Sequence, residues 1–178
     1  MNRIFPFFAL LLLGSGVFAQ EASVIEQPTE AFPFKITLVR PDSSEVASSA
    51  VLTDQNQFTL LAFWLTTCIP CSIELDAYSQ HYATWKKEHG LEIIAISMDF
   101  ADKFRRIEAR LAEKKYPFPV YWDRIRALKY ILPGGLNGYP QIFLFDQKGQ
   151  LVWRKKGYLS GDETKMLDEV IKRKTAKP

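Results

Sequence analysis

Three short stretches of the chain are apolar at nearly every position, and the segments between them mix apolar with polar residues. The three stretches are FTLLAFW at 58–64, LEIIAIS at 91–97 and QIFLFD at 141–146. A run of this length that is apolar on both faces is typical of a central strand in a parallel or mixed sheet. The pattern therefore predicts a sheet whose central strands lie inside the protein.

The segment between the first two predicted strands has the spacing of a helix. It runs from about Pro70 to Glu88, and Gly90 provides a stop after it. Its apolar positions are Ile73, Leu75, Tyr78, Tyr82 and Trp85. We therefore expect this helix to connect two neighbouring strands of the sheet.

Shorter elements are predicted from caps, prolines and turns. Asp102 is expected to cap a helix whose apolar positions are Phe104, Ile107 and Leu111. Further along, the sequence predicts a short strand around Val120 and Tyr121, a brief helix from Asp123 to Ile131, a loop at 133–140 and a terminal helix that begins at Gly161 and Asp162.

Two hairpins complete the pattern. KITLV at 35–39, a turn at 41–44 and a weakly extended piece from Glu45 to Leu52 resemble an N-terminal hairpin, and 141–146 with LVWRKKGY at 151–158 predicts another. The order ββ-β-α-β-α-β-α-ββ-α predicts a single α/β sandwich. A chain of 178 residues is long enough for one domain with a proper core, and too short for two ordinary ones.

Composition and charge exclude several classes of protein. Hydrophobic residues make up 47% of the chain and charged residues 24%, with a formal charge of +3, so long disordered segments are not expected. The only local excess of basic residues is the tail KRKTAKP, which we interpret as a solvated helix end. No nucleic-acid partner is therefore predicted.

The first 19 residues have the pattern of an export signal. Arg3 precedes an apolar run from Ile4 to Leu13, and small residues lead to Val-Phe-Ala at 17–19. As a helix, the stretch from Ile4 to Phe18 would reach about 22 Å, against about 30 Å for a bilayer core, which favours cleavage after Ala19 over a permanent anchor. We therefore expect a signal peptide at 1–19, a flexible leader at 20–31, one domain at 32–178 and an extracytoplasmic, periplasmic location.

Cys68 and Cys71 are the only cysteines, and the pair admits three interpretations. A zinc site would need further ligands, and the spacing to His81 and His89 fits no usual zinc pattern. A structural disulfide would close so short a loop that it would contribute little to stability. A redox-active dithiol is favoured.

The position of the cysteines gives them unequal expected roles. Cys68 lies where a buried strand meets a helix, and the N-terminal end of a helix stabilises a thiolate. Cys71 lies one turn further in and should be more buried. Cys68 is thus predicted to be the attacking nucleophile and Cys71 the resolving thiol, while Pro70 stiffens the loop between them.

The surrounding residues resemble a known family. FWLTTCIPCSIEL is similar to the FWATWCxPCxxEL stretch of the thioredoxin superfamily, in its TlpA/ResA branch of exported thiol-disulfide oxidoreductases. LEIIAISMD, FPVYWD and NGYPQIFLFDQKGQLVWRKKGY resemble later segments of that branch, from about Phe32 to the last helix. The resemblance implies a thioredoxin-like fold: a central mixed β-sheet flanked by helices, with an N-terminal hairpin and an inserted helix-strand unit.

The resemblance also implies roles for individual residues. Cys68 and Cys71 would form a disulfide, and Glu74 matches a glutamate thought to tune the cysteines and to exchange a proton with Cys71. Pro140 matches the family's cis-proline, which would leave the backbone of Tyr139 free to pair with an extended substrate. The substrate-binding residues are accordingly predicted to be Trp64, Thr67, Ile69, Pro70, Tyr139 and Pro140.

Two residues depart from the family pattern. Thr67 stands where many relatives have a tryptophan before the first cysteine, which removes an aromatic cover over the sulfurs. Ala62 stands where thioredoxin has a buried aspartate that accepts a proton. Asp99 matches a family position, but there capping of the next loop is as plausible a role as chemistry.

The resulting hypothesis is an exported thiol-disulfide oxidoreductase that reduces protein disulfides and uses no cofactor. In the resembling branch, substrates include apocytochrome c cysteines, and the electron donor is a membrane protein of the CcdA or DsbD kind. Three alternatives stay open: an oxidase or isomerase, a peroxiredoxin-like enzyme, and a non-catalytic peptide-binding module. The peroxiredoxin signature P-x-x-x-T-x-x-C would need Pro and Thr at positions 61 and 65, where this chain has leucine.

Overall fold

The computed structural model describes residues 25–52 and 57–175. Its strands are β1 (Thr37–Val39), β2 (Glu45–Ala47), β3 (Phe58–Trp64), β4 (Leu91–Ser97), β5 (Val120–Trp122), β6 (Gln141–Phe145) and β7 (Leu151–Lys156). Its helices are α1 (Ser48–Val51), α2 (Ile69–His89), α3 (Phe104–Lys114), α4 (Leu128–Ile131) and α5 (Asp162–Thr175). The predicted element order is confirmed, with α1 as an addition.

The seven strands form one mixed sheet in the order β2-β1-β5-β4-β3-β6-β7. At its centre β3 pairs in parallel with β4, with Phe58 opposite Leu91 and Trp64 opposite Ser97. On its other side β3 pairs antiparallel with β6, with Phe63 opposite Gln141. The end of β3, the end of β4 and the start of β6 therefore lie at the same edge of the sheet.

Each face of the sheet is covered by its own hydrophobic core, as the fully apolar strands predicted. Leu60, Ala62 and Trp64 of β3 belong to a first core that residues of α2, α3 and α5 complete. Leu61 and Phe63 point the other way, into a second core closed by α4 and the N-terminal segment. The alternation follows from the two-residue period of a strand.

The long helix α2 ends where the sequence predicted. Gly90 has φ of 61°, and its amide donates a hydrogen bond to the carbonyl of Lys86. This left-handed conformation is one that glycine adopts without a Cβ penalty, and it terminates the helix. The chain then enters β4 directly.

Three predicted boundaries are wrong, each because of a specific contact. The second strand of the hairpin ends at Ala47 instead of Leu52, because the buried Ser48 hydroxyl bonds to the carbonyl of Phe34 and the chain turns into α1. Asp102 caps no helix: it lies in a single 3₁₀ turn and pairs with Lys103. The brief helix begins at Leu128 instead of Asp123, because the Asp123 carboxylate accepts hydrogen bonds from the amides of Ala127 and Leu128 at the start of the helix.

Residues predicted as a flexible leader contact the domain. The side chain of Gln27 accepts from the amide of Leu151 and donates to its carbonyl, each at 2.9 Å. The amide of Thr29 donates to the carbonyl of Ile131 at 3.0 Å. The described part of 20–31 is thus fastened to β7 and α4, while the predicted signal at 1–19 lies outside the described residues.

No helix in the described ranges combines the length and apolar character needed to cross a bilayer.

Candidate active site

The two cysteines lie at the N-terminal end of α2, four residues after β3 ends. Cys68 is the N-cap residue of the helix, and its Sγ accepts a hydrogen bond from the amide of Cys71 at 3.2 Å. The two sulfurs form a disulfide, with 5.3 Å between the Cα atoms. The strand-to-helix junction expected from the sequence is therefore present.

The two sulfurs differ in exposure. Cys68 is half-buried at the surface, whereas Cys71 is 0% exposed and belongs to the first core. Ile69 between them is 75% exposed, and Thr67 and Pro70 are also exposed. An incoming molecule can therefore reach the disulfide from the side of Cys68, across Thr67, Ile69 and Pro70.

Trp64 is placed differently from the prediction. It was expected to contact substrate, but it is 2% exposed and packs in the first core below the disulfide. It is the last residue of β3, and the strand alternation directs its side chain to the face that α2 covers. Trp64 thus supports the site from beneath.

Pro140 lies at the same sheet edge as the cysteines. It directly precedes β6, whose first residue faces Phe63 of β3, and the Tyr139–Pro140 peptide bond is cis, as the resemblance implies. Pro140 is buried and Tyr139 half-buried. The topology thus brings the two parts of the predicted site together, although about 70 residues separate them in the sequence.

Glu74 lies one turn beyond Cys71 and is 2% exposed. Its Oε1 accepts a hydrogen bond from the hydroxyl of Tyr78 at 3.3 Å. Burial raises the pKa of Glu74 to about 8, although the Tyr78 hydrogen bond and the charge of Lys155 act in the opposite direction. The site therefore contains a carboxyl group that is largely neutral at pH 7.

Charged residues at the junction of β7 and α5 lie near Glu74 and were not predicted from the sequence. Asp162 is buried, and its carboxylate pairs with Lys155 and with Lys165. Burial alone would raise the pKa of Asp162, but hydrogen bonds from both lysines and from the Leu159 amide lower it to about 2. No local pattern signals this cluster, because its members come from two elements.

Asp99 holds the loop that carries the cysteines. Its carboxylate accepts from the amide and the hydroxyl of Thr66, at 2.9 and 2.8 Å, and from the hydroxyl of Ser97 at 2.8 Å. Asp99 is 4% exposed, and its carbonyl also accepts from the indole of Trp122. The structure thus gives this residue the role of positioning the loop before Cys68.

A second positioning contact was missed by the sequence analysis. Arg126 donates from Nη2 to the hydroxyl of Tyr139 at 3.2 Å, and its guanidinium lies 4.4 Å from the centre of the Phe100 ring. The inserted segment between β5 and β6 therefore fixes the side chain next to Pro140. This contact could not be predicted from the sequence, because a loop without periodicity separates Arg126 from Tyr139.

Within residues 25–52 and 57–175, no three His, Cys, Asp or Glu side chains lie close enough together to hold a metal ion.

Comparison with known proteins agrees with this geometry. A family model described as the AhpC/TSA family matches residues 28–154. The thiol-disulfide oxidoreductase ResA of Oceanobacillus iheyensis is 30% identical over 122 residues, covering 67% of this chain and 61% of ResA. The sporulation thiol-disulfide oxidoreductase A of Bacillus subtilis is 20% identical over 157 residues, covering 88% of this chain and 91% of that protein.

A solved structure supports the fold. The solution structure of a thioredoxin-like protein from Porphyromonas gingivalis superposes with a TM-score of 0.66 at 24% identity, covering 78% of this chain and 89% of that one. The predicted α/β fold with a mixed sheet between helices is thereby confirmed. The family match and the two relatives confirm the predicted resemblance to the thioredoxin superfamily.

Proposed function

We propose that this chain, which belongs to the AhpC/TSA family, is a thiol-disulfide oxidoreductase that reduces protein disulfides through Cys68 and Cys71. The observation that carries the proposal is the unequal pair at the start of α2: one sulfur at the surface and one in the core, joined as a disulfide. Two relatives bear the name thiol-disulfide oxidoreductase, and the chain spans 61% of the length of the first of them.

The reaction balances as two exchanges. In the reduced protein, the Cys68 thiolate attacks one sulfur of the substrate disulfide, which forms a mixed disulfide and releases one substrate thiolate. The Cys71 thiolate then attacks Sγ of Cys68, releases the second substrate thiolate and closes the Cys68–Cys71 disulfide. Two electrons pass to the substrate, and an external dithiol must restore the reduced protein.

The helix stabilises the attacking thiolate. The amide of Cys71 donates to Sγ of Cys68 at 3.2 Å, and α2 contributes the positive end of a 21-residue helix dipole. Cys71 is sheltered from external disulfides because it is fully buried. This division supports attack by Cys68 and resolution by Cys71.

Glu74 is the candidate group for exchanging a proton with Cys71: its neutral form predominates at pH 7, and its ionised fraction accepts the proton of the Cys71 thiol. A proton passes most readily between groups of similar pKa, and the pKa of Glu74, at about 8, is close to the ordinary value of about 8.5 for a thiol. Ala62 provides no carboxyl group at the core position where thioredoxin has one, so Glu74 takes up this role from the helix.

Substrate binding is assigned to the exposed side of the disulfide. Thr67, Ile69 and Pro70 flank Cys68, and the backbone of Tyr139 before Pro140 would pair with an extended segment of the substrate. The hydrogen bond from Arg126 to the Tyr139 hydroxyl supports a fixed position for this residue.

The location and partners follow from the family resemblance and the first 19 residues. The signal would direct the protein out of the cytoplasm, where disulfide substrates occur. Apocytochrome c cysteines are the substrate that the resemblance suggests, and a membrane protein of the CcdA or DsbD kind is the suggested electron donor.

Trapping of the mixed disulfide tests the proposal. A Cys71→Ala variant expressed in the native host should accumulate a covalent partner on Cys68, seen by non-reducing electrophoresis and identified by mass spectrometry. The double variant Cys68→Ser/Cys71→Ala is the control and should hold none. Absence of any trapped partner, together with consumption of peroxide by the wild-type protein, would favour the peroxiredoxin alternative over the proposed function.

A further inference from the structure

A basic cleft lies beside the cysteine loop, on the side away from β6, the strand that follows Pro140. Its volume is about 220 Å³, and it separates the residues just before Cys68 from one face of α3. We call it the arginine cleft and define it by its lining residues, which are Thr66, Thr67, Arg106, Ala109, Arg110 and Glu113. Because Thr67 directly precedes Cys68 in the chain, a molecule in this cleft would contact the residue next to the attacking cysteine.

The cleft carries an excess of positive charge. It presents two guanidinium groups and one carboxylate, and the contact between Arg110 Nη1 and Glu113 Oε2 is long, at 3.8 Å. Arg106 is exposed and has no hydrogen-bonded or ion-paired partner among the described residues. Its charge helps to lower the pKa of Asp102, but the Asp102 carboxylate is paired with Lys103.

Arg110 is held in place for a ligand. Its Nη2 donates to the carbonyl of Thr66 at 3.3 Å, and Thr66 is itself fixed by Asp99. The guanidinium is therefore tied to the loop whose position decides where Cys68 lies, while its Nη1 has only the long contact with Glu113. A planar fork of this kind matches a carboxylate.

The short side chain of Thr67 leaves the cleft open. Thr67 is exposed, and its hydroxyl has no hydrogen-bond partner in the part of the chain that the structure describes. A bulky aromatic residue at this position would occupy the mouth of the cleft. At position 67, where many relatives have tryptophan, this chain therefore places an unbonded hydroxyl group in a cleft that two arginines also line.

We propose that the arginine cleft binds an aspartate or glutamate side chain of the substrate protein, close in sequence to the cysteine that Cys68 attacks. This assignment rests on the proposed function, since it needs a protein disulfide as substrate. It makes Arg106 and Arg110 determinants of specificity that act through substrate binding and take no part in the exchange of electrons.

The first test compares peptides that differ only in charge. Disulfide-linked peptides with Glu, Gln or Lys placed in turn at the positions flanking the attacked cysteine are reduced by the reduced wild-type protein, and kcat/KM is measured for each. We expect at least one position where Glu is preferred over Gln by about threefold to tenfold and where Lys is disfavoured, as for a partly solvated ion pair. The preference should shrink between about 50 mM and about 500 mM salt. Equal values at every position would overturn the proposal.

Substitutions then locate the preference. Arg106→Gln should reduce the Glu-to-Gln ratio of kcat/KM by about threefold, and Thr67→Trp, which fills the mouth of the cleft, should bring the ratio close to one. Arg105→Gln removes the same charge from the neighbouring position of α3, outside the cleft lining, and should keep the wild-type ratio. A ratio that survives in Arg106→Gln and in Thr67→Trp would contradict the assignment.

A neutral small disulfide separates this inference from the proposed function. Reduction of hydroxyethyl disulfide by the wild-type protein needs the dithiol but no acidic group, so failure here would refute the proposed function itself. Normal reduction without any acidic preference would refute only the arginine cleft. If glutathione disulfide were reduced faster than every acidic peptide, with the same dependence on Arg106, the occupant would be a small-molecule carboxylate and the protein assignment would be wrong.

Discussion

At the residue scale, a single buried carboxyl group sets the chemical character of this site. Glu74 has no ion-paired partner within the described residues and accepts one hydrogen bond, from Tyr78. Its ionisation in the first core is costly, because a charge loses most of its hydration there. The oxidised protein is the form in which this cost is measured most cleanly, since the two thiols do not titrate.

We expect Glu74→Gln to stabilise the oxidised protein at high pH. The pKa of Glu74 is about 8 in the folded protein, against 4.5 for the ordinary group. Between these two pH values the folded protein holds a proton on Glu74 that the unfolded chain has lost. The wild-type protein therefore loses stability as the pH rises from 4.5 to 8, and the variant does not. Denaturant unfolding should give similar free energies near pH 4 and a gain of up to about 5 kcal/mol for the variant above pH 8.

The matched control for this prediction is Glu108→Gln. Glu108 is exposed on α3 and makes no hydrogen bond or ion pair among the described residues. Its substitution should leave the pH dependence of unfolding as in the wild-type protein. A pH-independent difference between Glu74→Gln and the wild type would show that Glu74 is ionised in the folded protein throughout the range.

At the element scale, the junction between β7 and α5 depends on one aspartate. Asp162 is the first residue of α5, its Oδ2 accepts from the amide of Leu159 at 2.7 Å, and it pairs with a lysine on each side. A carboxylate at the start of a helix is also favoured by the helix dipole. The charges of Lys155 and Asp162 both act on the pKa of Glu74, so the junction is part of the electrostatic environment of the site.

Asp162→Asn is expected to reduce the free energy of unfolding by about 2–4 kcal/mol at neutral pH, because an amide cannot replace the charge opposite Lys155. The pKa of Asp162 is lowered to about 2, so its stabilisation is present above about pH 4 and disappears as the pH falls through 2. The difference between the variant and the wild type should shrink accordingly in acid unfolding experiments. Asp168→Asn, on an exposed position of the same helix, should change stability by less than about 0.5 kcal/mol.

The elements that the sequence predicted best are those whose pattern is set by burial alone. The strands Phe58–Trp64 and Leu91–Ser97 agree with the prediction residue for residue, since a run that is apolar on both faces fits only the middle of the sheet. The end of β2 and the start of α3 were misplaced. The first depends on a contact between Ser48 and Phe34, fourteen residues apart, that local patterns do not encode.

The same distinction holds for the site. Cys68 and Cys71 could be predicted because they are close in sequence and are the only thiols. Glu74 and Pro140 could be predicted through the family resemblance. The contacts of Asp99 with Thr66 and of Arg126 with Tyr139 could not, because sheet topology and an irregular loop bring these residues together. The burial of Trp64 was missed because a strand's last residue can end either inside or outside the core.

At the scale of the whole molecule, the N-terminal segment is joined to a strand 124 residues further along the chain. Ile25 packs against the second core, and Gln27 bonds to the backbone of Leu151 in β7. The segment predicted as a leader therefore contributes to the stability of the domain.

Gln27→Ala should lower the free energy of unfolding by about 1–2 kcal/mol, because both hydrogen bonds to Leu151 are lost. Gln80→Ala is the control, since Gln80 is exposed on α2 and makes no hydrogen bond among the described residues. Thermal or denaturant unfolding of the two variants measures the difference. Equal stability of both variants and the wild type would mean that the contact of Gln27 contributes nothing in solution.

The contact of Gln27 also bears on how copies of this protein meet. β7 is an outer strand of the sheet, and an outer strand presents backbone groups to which another chain can add a strand. Here Gln27 occupies both backbone groups of Leu151, and Arg173 of α5 donates to the carbonyl of Val152 at 2.6 Å. Side chains thus cover the start of this edge strand against pairing with another chain, and the opposite edge offers only β2, a strand of three residues.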